Sequence, residues 1–156
     1  VLFKQRTGTA DVHVPYKGME QAMVDLLGGQ ITMLTTTIAG ALPHVSQGKM
    51  TVLAVTGAIR SPLLAGVPTM QEAGVAGFEV NNYWGIVGPA RVPPAIVHRL
   101  NGEVQALLRD APLRERLERE GVTVASGSAE VFGTFLRADF SHWRRLVESA
   151  KLTFDP

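Results

Sequence analysis

Three consecutive hydroxyl side chains, Thr35, Thr36 and Thr37, stand where an apolar run changes its period. Ile31, Met33 and Leu34 read as a buried strand, and Ile38, Ala41, Leu42 and Val45 recur behind it at helical spacing. The hydroxyls therefore fall at a strand-to-helix junction. The first turn of a helix has backbone N–H groups without intrahelical acceptors and a partial positive charge. The amides that open at Ile38, together with the threonine hydroxyls, suit a small anion. The same residues also admit a plainer role, in which one threonine caps the helix and the other two favour the strand end. Lys17, within Tyr16-Lys-Gly18, fits either a ligand contact or a turn. Tyr83 and Trp84 fit either a pocket wall or a core.

Chemistry that needs a nucleophile or a metal finds little support. His13, His44, His98 and His142 lie too far apart for any local metal-ligand spacing. The chain has no Gly-x-Ser-x-Gly elbow, no phosphate loop and no Gly-x-Gly-x-x-Gly. Asp110, Glu115, Glu118 and Glu120 sit among arginines and read as a solvated helix face. His44 has no carboxylate at a useful spacing and reads as packing near a helix end. No enzyme class emerges, and no cofactor is called for.

Composition excludes further classes. The 156 residues are 46% hydrophobic, enough for a substantial core in one or two small domains. Fifteen Lys and Arg against 14 Asp and Glu give a net charge of +1, with no basic tract for a nucleic acid or an anionic membrane. No stretch is long and apolar enough to span a bilayer. Cysteine is absent, which excludes disulfides and thiolate chemistry. Val1 to Arg6 has the pattern of the end of an amphipathic helix and no signal peptide precedes it, so a piece of a longer polypeptide is expected.

The elements that must position the threonines alternate along the chain. Strands are expected at 11–15, 31–35, 50–56 and 122–125, with a long or bent one at 78–89. Met19, Met23, Leu26 and Leu27 form a helix stripe closed by Gly28-Gly29, and a second helix covers about 37–47. Thr69-Met-Gln-Glu72 fits a capping box and predicts a short helix ending by Gly74. Pro93-Pro94 opens a helix with its core face on Ile96, Val97, Leu100, Val104, Leu107 and Leu108. A charged helix is expected at 113–120, and Ser128 caps a last one striped by Phe132, Phe135, Leu136, Phe140, Trp143, Leu146 and Val147. Strand alternating with helix predicts an α/β architecture with a mostly parallel sheet. The two amphipathic helices of the second section have little sheet to cover, so their partner surface is expected outside this chain.

A series of ordered motifs carries a family resemblance. His13-Val-Pro-Tyr-Lys-Gly18, Asp25-Leu-Leu-Gly-Gly-Gln30, Ala41-Leu-Pro-His44, Leu53-Ala-Val-Thr56 and Arg60-Ser-Pro are followed by Val67-Pro-Thr69, Glu72-Ala-Gly74 and Gly77-Phe-Glu79. Trp84-Gly85 and Pro94-x-Ile-Val-x-x-Leu-Asn101 complete it. Together they resemble the Bug-type receptors, the extracytoplasmic solute-binding proteins of tripartite tricarboxylate transporters, over essentially the whole chain. The resemblance implies an α/β, type-II periplasmic binding protein fold, in part: residues 1–82 as most of lobe two and 83–156 as the C-terminal part of lobe one. It implies a periplasmic location, a small organic anion or amino acid as ligand, and membrane transporter subunits as partners.

In that family, backbone amides, hydroxyls and waters at loop–helix junctions hold the carboxylate, the role this assigns to Thr35, Thr36, Thr37 and Ile38. Return of the chain to lobe one near Asn81 to Trp84 would bring Tyr16, Lys17, Tyr83 and Trp84 near the cleft. Two positions depart from the family pattern: an acidic or amide residue is common near Thr36 and Thr37, and Gly-Thr-Pro is usual where Arg91-Val92-Pro93 stands. Two other classes remain open. An effector module of a regulator needs a DNA-reading helix-turn-helix that is not in this chain, and nothing here is basic enough for a nucleic-acid partner. An interaction remnant would self-associate through the faces carrying Leu100, Val104, Phe135 and Trp143.

Overall fold

The computed structural model describes residues 2–150, except for the side chain of Ala150. Val1 of the expected opening helix and residues 151–156 of the expected second section lie outside the described residues. Backbone contacts divide the chain into two compact units. The first runs up to Asn82 and includes Arg119–Gly121; the second comprises Tyr83–Glu118 and the residues from Val122 onward.

Helices form where the apolar stripes predict them. In the first unit, α1 is Leu2–Thr7, α2 is Met19–Leu27 and α3 is Ile38–Ser46. In the second, α4 is Pro94–Leu107 and α6 is Ala129–Ala150, while α5, Ala111–Arg119, ends in the first. Helix α2 buries Ala22 and Met23 and stops at Gly28. Gly29 then takes φ +73° so that the Gln30 amide donates back to the Asp25 carbonyl at 2.8 Å, satisfying an otherwise orphaned end group. The expected charged helix begins two residues early because Asp110, read from sequence as solvated surface, accepts from the Leu113 amide at 3.1 Å and caps it. Ser128 accepts from Val131 N–H at 3.4 Å, as its place before α6 predicts.

The expected parallel sheet is not completed. Among the described residues pairing is confined to one parallel bridge, Val55 with Thr69, and a bond from the Val80 amide to the Thr56 carbonyl at 2.9 Å. The segments predicted as strands at 11–15, 31–35, 78–89 and 122–125 lie outside regular secondary structure, as does most of 50–56. The reason is that a strand is made by its neighbour: alternating side chains favour extended backbone, but a ladder needs adjacent donors and acceptors. Burial fails with it. Met33 is exposed in the run read as a buried strand, and in the 50–56 run Leu53 is exposed while Val55 alone is buried.

The capping box at Thr69 forms, but the helix it predicts does not. Thr69 N–H donates to Glu72 Oε2 at 2.8 Å and Glu72 N–H donates to Thr69 Oγ1 at 3.1 Å. A single turn follows, ended by Gly74 at φ +96°. Arg60 Nε also donates to Glu72 Oε2, at 2.8 Å, which ties the 60–68 loop to this turn. The Arg60 bond, then the Thr69 amide, hold the Glu72 carboxyl below its ordinary value of 4.5. A depressed carboxyl contributes stability that is fully present above the unfolded pKa and is lost as pH falls through the folded one. Stability should therefore hold from pH 7 down to about pH 5 and decline below it, and Glu72→Gln should flatten part of that decline. Urea midpoints measured across pH 3 to 7 for both proteins check this.

The core is small and belongs to the first unit. Ala22, Met23, Ala41, Val55, Thr69 and Phe78 are its buried residues, with Phe3 meeting the Phe78 ring edge-on at 6.4 Å. No described residue of the second unit is buried. Leu100 of α4 and Phe135 and Phe140 of α6 are exposed, while Val97, Val104, Phe132, Leu136 and Trp143 are half-buried, so the apolar stripes are only partly covered.

Candidate functional site

The threonine row sits at the start of α3, as its sequence position predicts. Thr37 is extended (φ −73°, ψ 152°) and its Oγ1 accepts from Gly40 N–H at 3.2 Å, while its carbonyl accepts from Ala41 N–H at 3.1 Å. Thr37 thus fills the plainer capping role. It serves only one amide of the first turn by its side chain. The N–H groups of Ile38 and Ala39 have no acceptor among the described residues.

Thr36 has no such employment. Its Oγ1 is buried and makes no hydrogen bond. Leaving a buried hydroxyl unsatisfied costs about 1–3 kcal/mol, so Thr36 Oγ1 calls for a partner from outside the protein, a water or a ligand atom. Gly40 lets both hydroxyls approach the helix: a Cβ there would lie 3.2 Å from Thr37 Oγ1 and 3.3 Å from Thr36 Oγ1. Thr35, beside them, is exposed. Ile38 is fixed from behind by Gly121, where an added Cβ would meet the Ile38 Cβ at 3.1 Å and where φ is +76°. Gly121 was not singled out from sequence, although a glycine closing a charged helix is a common cap signal.

The two tyrosines are each committed to an aspartate. Tyr16 O–H donates to Asp25 Oδ2 at 2.9 Å, and Asp25 Oδ1 accepts from Gln21 Nε2 at 3.0 Å. Desolvation, then the Asp25 bond and charge, push the Tyr16 phenol up. Tyr83 O–H donates to Asp139 Oδ2 at 3.0 Å, and that bond first, then desolvation, raises its phenol as well. Tyr83 also meets Phe135 edge-on at 4.9 Å and Phe132 at 6.4 Å. Both hydroxyl donors are therefore used within their own units. Lys17 is exposed, and Trp84 is 70% exposed. Thr35, Thr36, Thr37 and Ile38 form one cluster with Gly40; Tyr16 and Lys17 belong to the same unit, Tyr83 and Trp84 to the other.

A cavity of about 150 Å³ in the second unit is lined by Gln105, Leu108, Arg109, Arg114, Val124 and Ser126. None of these was a candidate from sequence, and its volume falls below the roughly 300–1,000 Å³ usual for ligand pockets. Among the described residues no group of three or more His, Asp or Glu is placed to hold a metal ion, and no helix is long and apolar enough to cross a membrane.

Comparison with known proteins gives a consistent result. The family model described as tripartite tricarboxylate transporter family receptor matches residues 2–152. BugT of Bordetella pertussis is 30% identical over 146 residues, covering 94% of this chain and 45% of that protein. Among solved structures, Rpa4515 of R. palustris with adipate is 31% identical with a TM-score of 0.86, covering 96% of this chain and 50% of the other. MatC of Rhodopseudomonas palustris with bound malate is 28% identical with a TM-score of 0.81, covering 94% and 51%. The chain spans about half the length of each of these three proteins. The fold is thus that of the type-II periplasmic binding proteins, in part, and the resemblance drawn from the ordered motifs holds.

Proposed function

The chain belongs to the tripartite tricarboxylate transporter receptor family, and we propose that it is the part of a periplasmic receptor that holds the carboxylate of a small organic acid at the start of α3. The observation that carries this reading is the buried, unbonded Oγ1 of Thr36 beside the free amides of Ile38 and Ala39. A carboxylate needs several donors, and a hydroxyl with two amides at the positive end of a helix supplies them. Charge-assisted bonds of this kind contribute about 1.5–3 kcal/mol each. Capture of adipate and malate by the two solved neighbours supports a dicarboxylate over an amino acid.

On this reading residues 1–82 belong to lobe two and 83–156 to lobe one, and the membrane subunits of the transporter receive the ligand. The rest of lobe one would cover the stripes of α4 and α6. Support comes from the absence of any buried described residue in the second unit and from relatives about twice as long. Without that cover, the exposed Leu100, Phe135 and Phe140 favour self-association.

Calorimetric titration of a family-length receptor carrying this chain, with adipate, malate and alanine, tests the proposal. Binding of either diacid with micromolar Kd and none of alanine is expected. Light scattering on the isolated 156-residue chain should give a mass above that of one chain, with no diacid binding. A monomer that binds with undiminished affinity, or a receptor that takes alanine and refuses both diacids, overturns the reading.

A further inference from the structure

Tyr83 to Ile86 is the first stretch of the second unit, and of its side chains Tyr83, at 43% exposed, is the most covered. Tyr83 packs on Phe132 and Phe135 of α6 and is bonded to Asp139. Gly85 faces the same helix so closely that a Cβ would lie 2.3 Å from the Phe132 ring. Trp84 and Ile86 are 70% and 76% exposed. With residues 83 and 85 anchored to α6, the side chains of residues 84 and 86 are left toward solvent.

Asp139 stands at the centre of this anchor. One oxygen accepts from Tyr83 O–H at 3.0 Å and the other from Trp143 Nε1–H at 3.0 Å. Trp143 lies one helical turn after Asp139, so its bond holds the carboxylate in one rotamer, and the carboxylate in turn holds Tyr83. We propose that Asp139 is the positioning residue for Trp84: by clamping Tyr83 to α6 it fixes residues 83–86 against that helix and leaves the indole facing away from it. The use of that indole as a wall for the ligand rests on the function proposed above; the clamp does not.

Two tryptophans and no cysteine make the test direct. The full 156-residue chain is labelled with 5-fluorotryptophan, variants are compared at equal mass by light scattering, and the two ¹⁹F resonances are assigned through Trp143→Phe. Asp139→Ala should move the Trp84 resonance by more than its linewidth, although the two residues are 55 positions apart. Tyr83→Phe, which keeps the ring and removes only the hydroxyl, should move Trp84 while leaving Trp143 in place. In the Tyr83→Phe background, Asp139→Ala should add no further shift to Trp84, because its route is already cut. Arg144→Ala, on the same helix but paired with Glu148, is the control that moves neither. An unmoved Trp84 resonance in Asp139→Ala, or an equal shift with and without the Tyr83 hydroxyl, overturns the proposal. In a family-length receptor, failure of adipate to bind the parent protein counts against the proposed function alone, since the ligand-free spectra decide the clamp.

Discussion

Replacing Gly85 with alanine lowers the urea midpoint of unfolding, with a loss of about 2 kcal/mol within the roughly 1–3 kcal/mol typical of overpacking. The backbone at Gly85 is not in a left-handed conformation, so the cost is one of space. The added methyl would lie 2.3, 2.6 and 3.2 Å from three atoms of the Phe132 ring. The half-buried ring must shift to admit the methyl, and in doing so disturbs its contacts with Phe135, at 6.2 Å between centroids, and with Tyr83, met edge-on. Phe132→Leu should cost little beside Gly85→Ala and recover much of the loss when combined with it. Residues in direct contact show coupling of about 0.5–3 kcal/mol, and the favourable sign expected here is specific to relief of a clash. Additive midpoints for the two changes, or a Gly85→Ala midpoint equal to that of the parent, would show that Phe132 does not pack on this backbone.

That glycine illustrates what the sequence discloses and what it withholds. Trp84-Gly85 was visible as a motif, but the ring that requires the glycine lies 47 residues further on. The helices were legible because their signal is local: an apolar period of about 3.6 and a capping residue at one end are both written within a dozen residues. Thr37 is such a case, read at the start of a helix and found capping it. Strand pairing is written nowhere locally. The apolar runs at 31–35 and 50–56 have strand composition, yet a ladder needs a neighbour, and among the described residues of these runs only Val55 forms a bridge.

The candidate site divides in the same way. The junction at residues 35–38 was legible from the change of period. The difference between Thr36 and Thr37 was not, since it depends on which hydroxyl the Gly40 amide reaches. Nor did the sequence mark the roles of Asp25 and Asp139, which depend on Tyr16 and Tyr83 being bonded to them. Both tyrosine hydroxyls are committed to aspartates within their own units, whereas the amides of Ile38 and Ala39 have no acceptor among the described residues. The start of α3 is left as the place where donors are in excess.

That excess makes opposite predictions for binding and for stability when Thr36 becomes glutamate. A carboxylate near the first turn of α3 meets the free amides of Ile38 and Ala39 and the positive end of the helix. The folded protein should therefore melt no lower than the parent, with a gain of about 0.3–1 kcal/mol from the helix terminus. A diacid approaching the same amides would now face a like charge. Two such charges at about 4 Å cost about 4 kcal/mol at an effective dielectric constant of 20, roughly a thousandfold in Kd. Thr36→Val removes only the hydroxyl and should weaken the diacid by about 1.5–3 kcal/mol, the worth of one charge-assisted bond. The order parent, valine, glutamate in calorimetric affinity, with melting temperature flat or rising for glutamate, separates loss of the site from loss of the fold. A receptor that keeps its affinity with Glu at position 36 does not hold its carboxylate at the start of α3, and the orphaned hydroxyl would then need water as its partner.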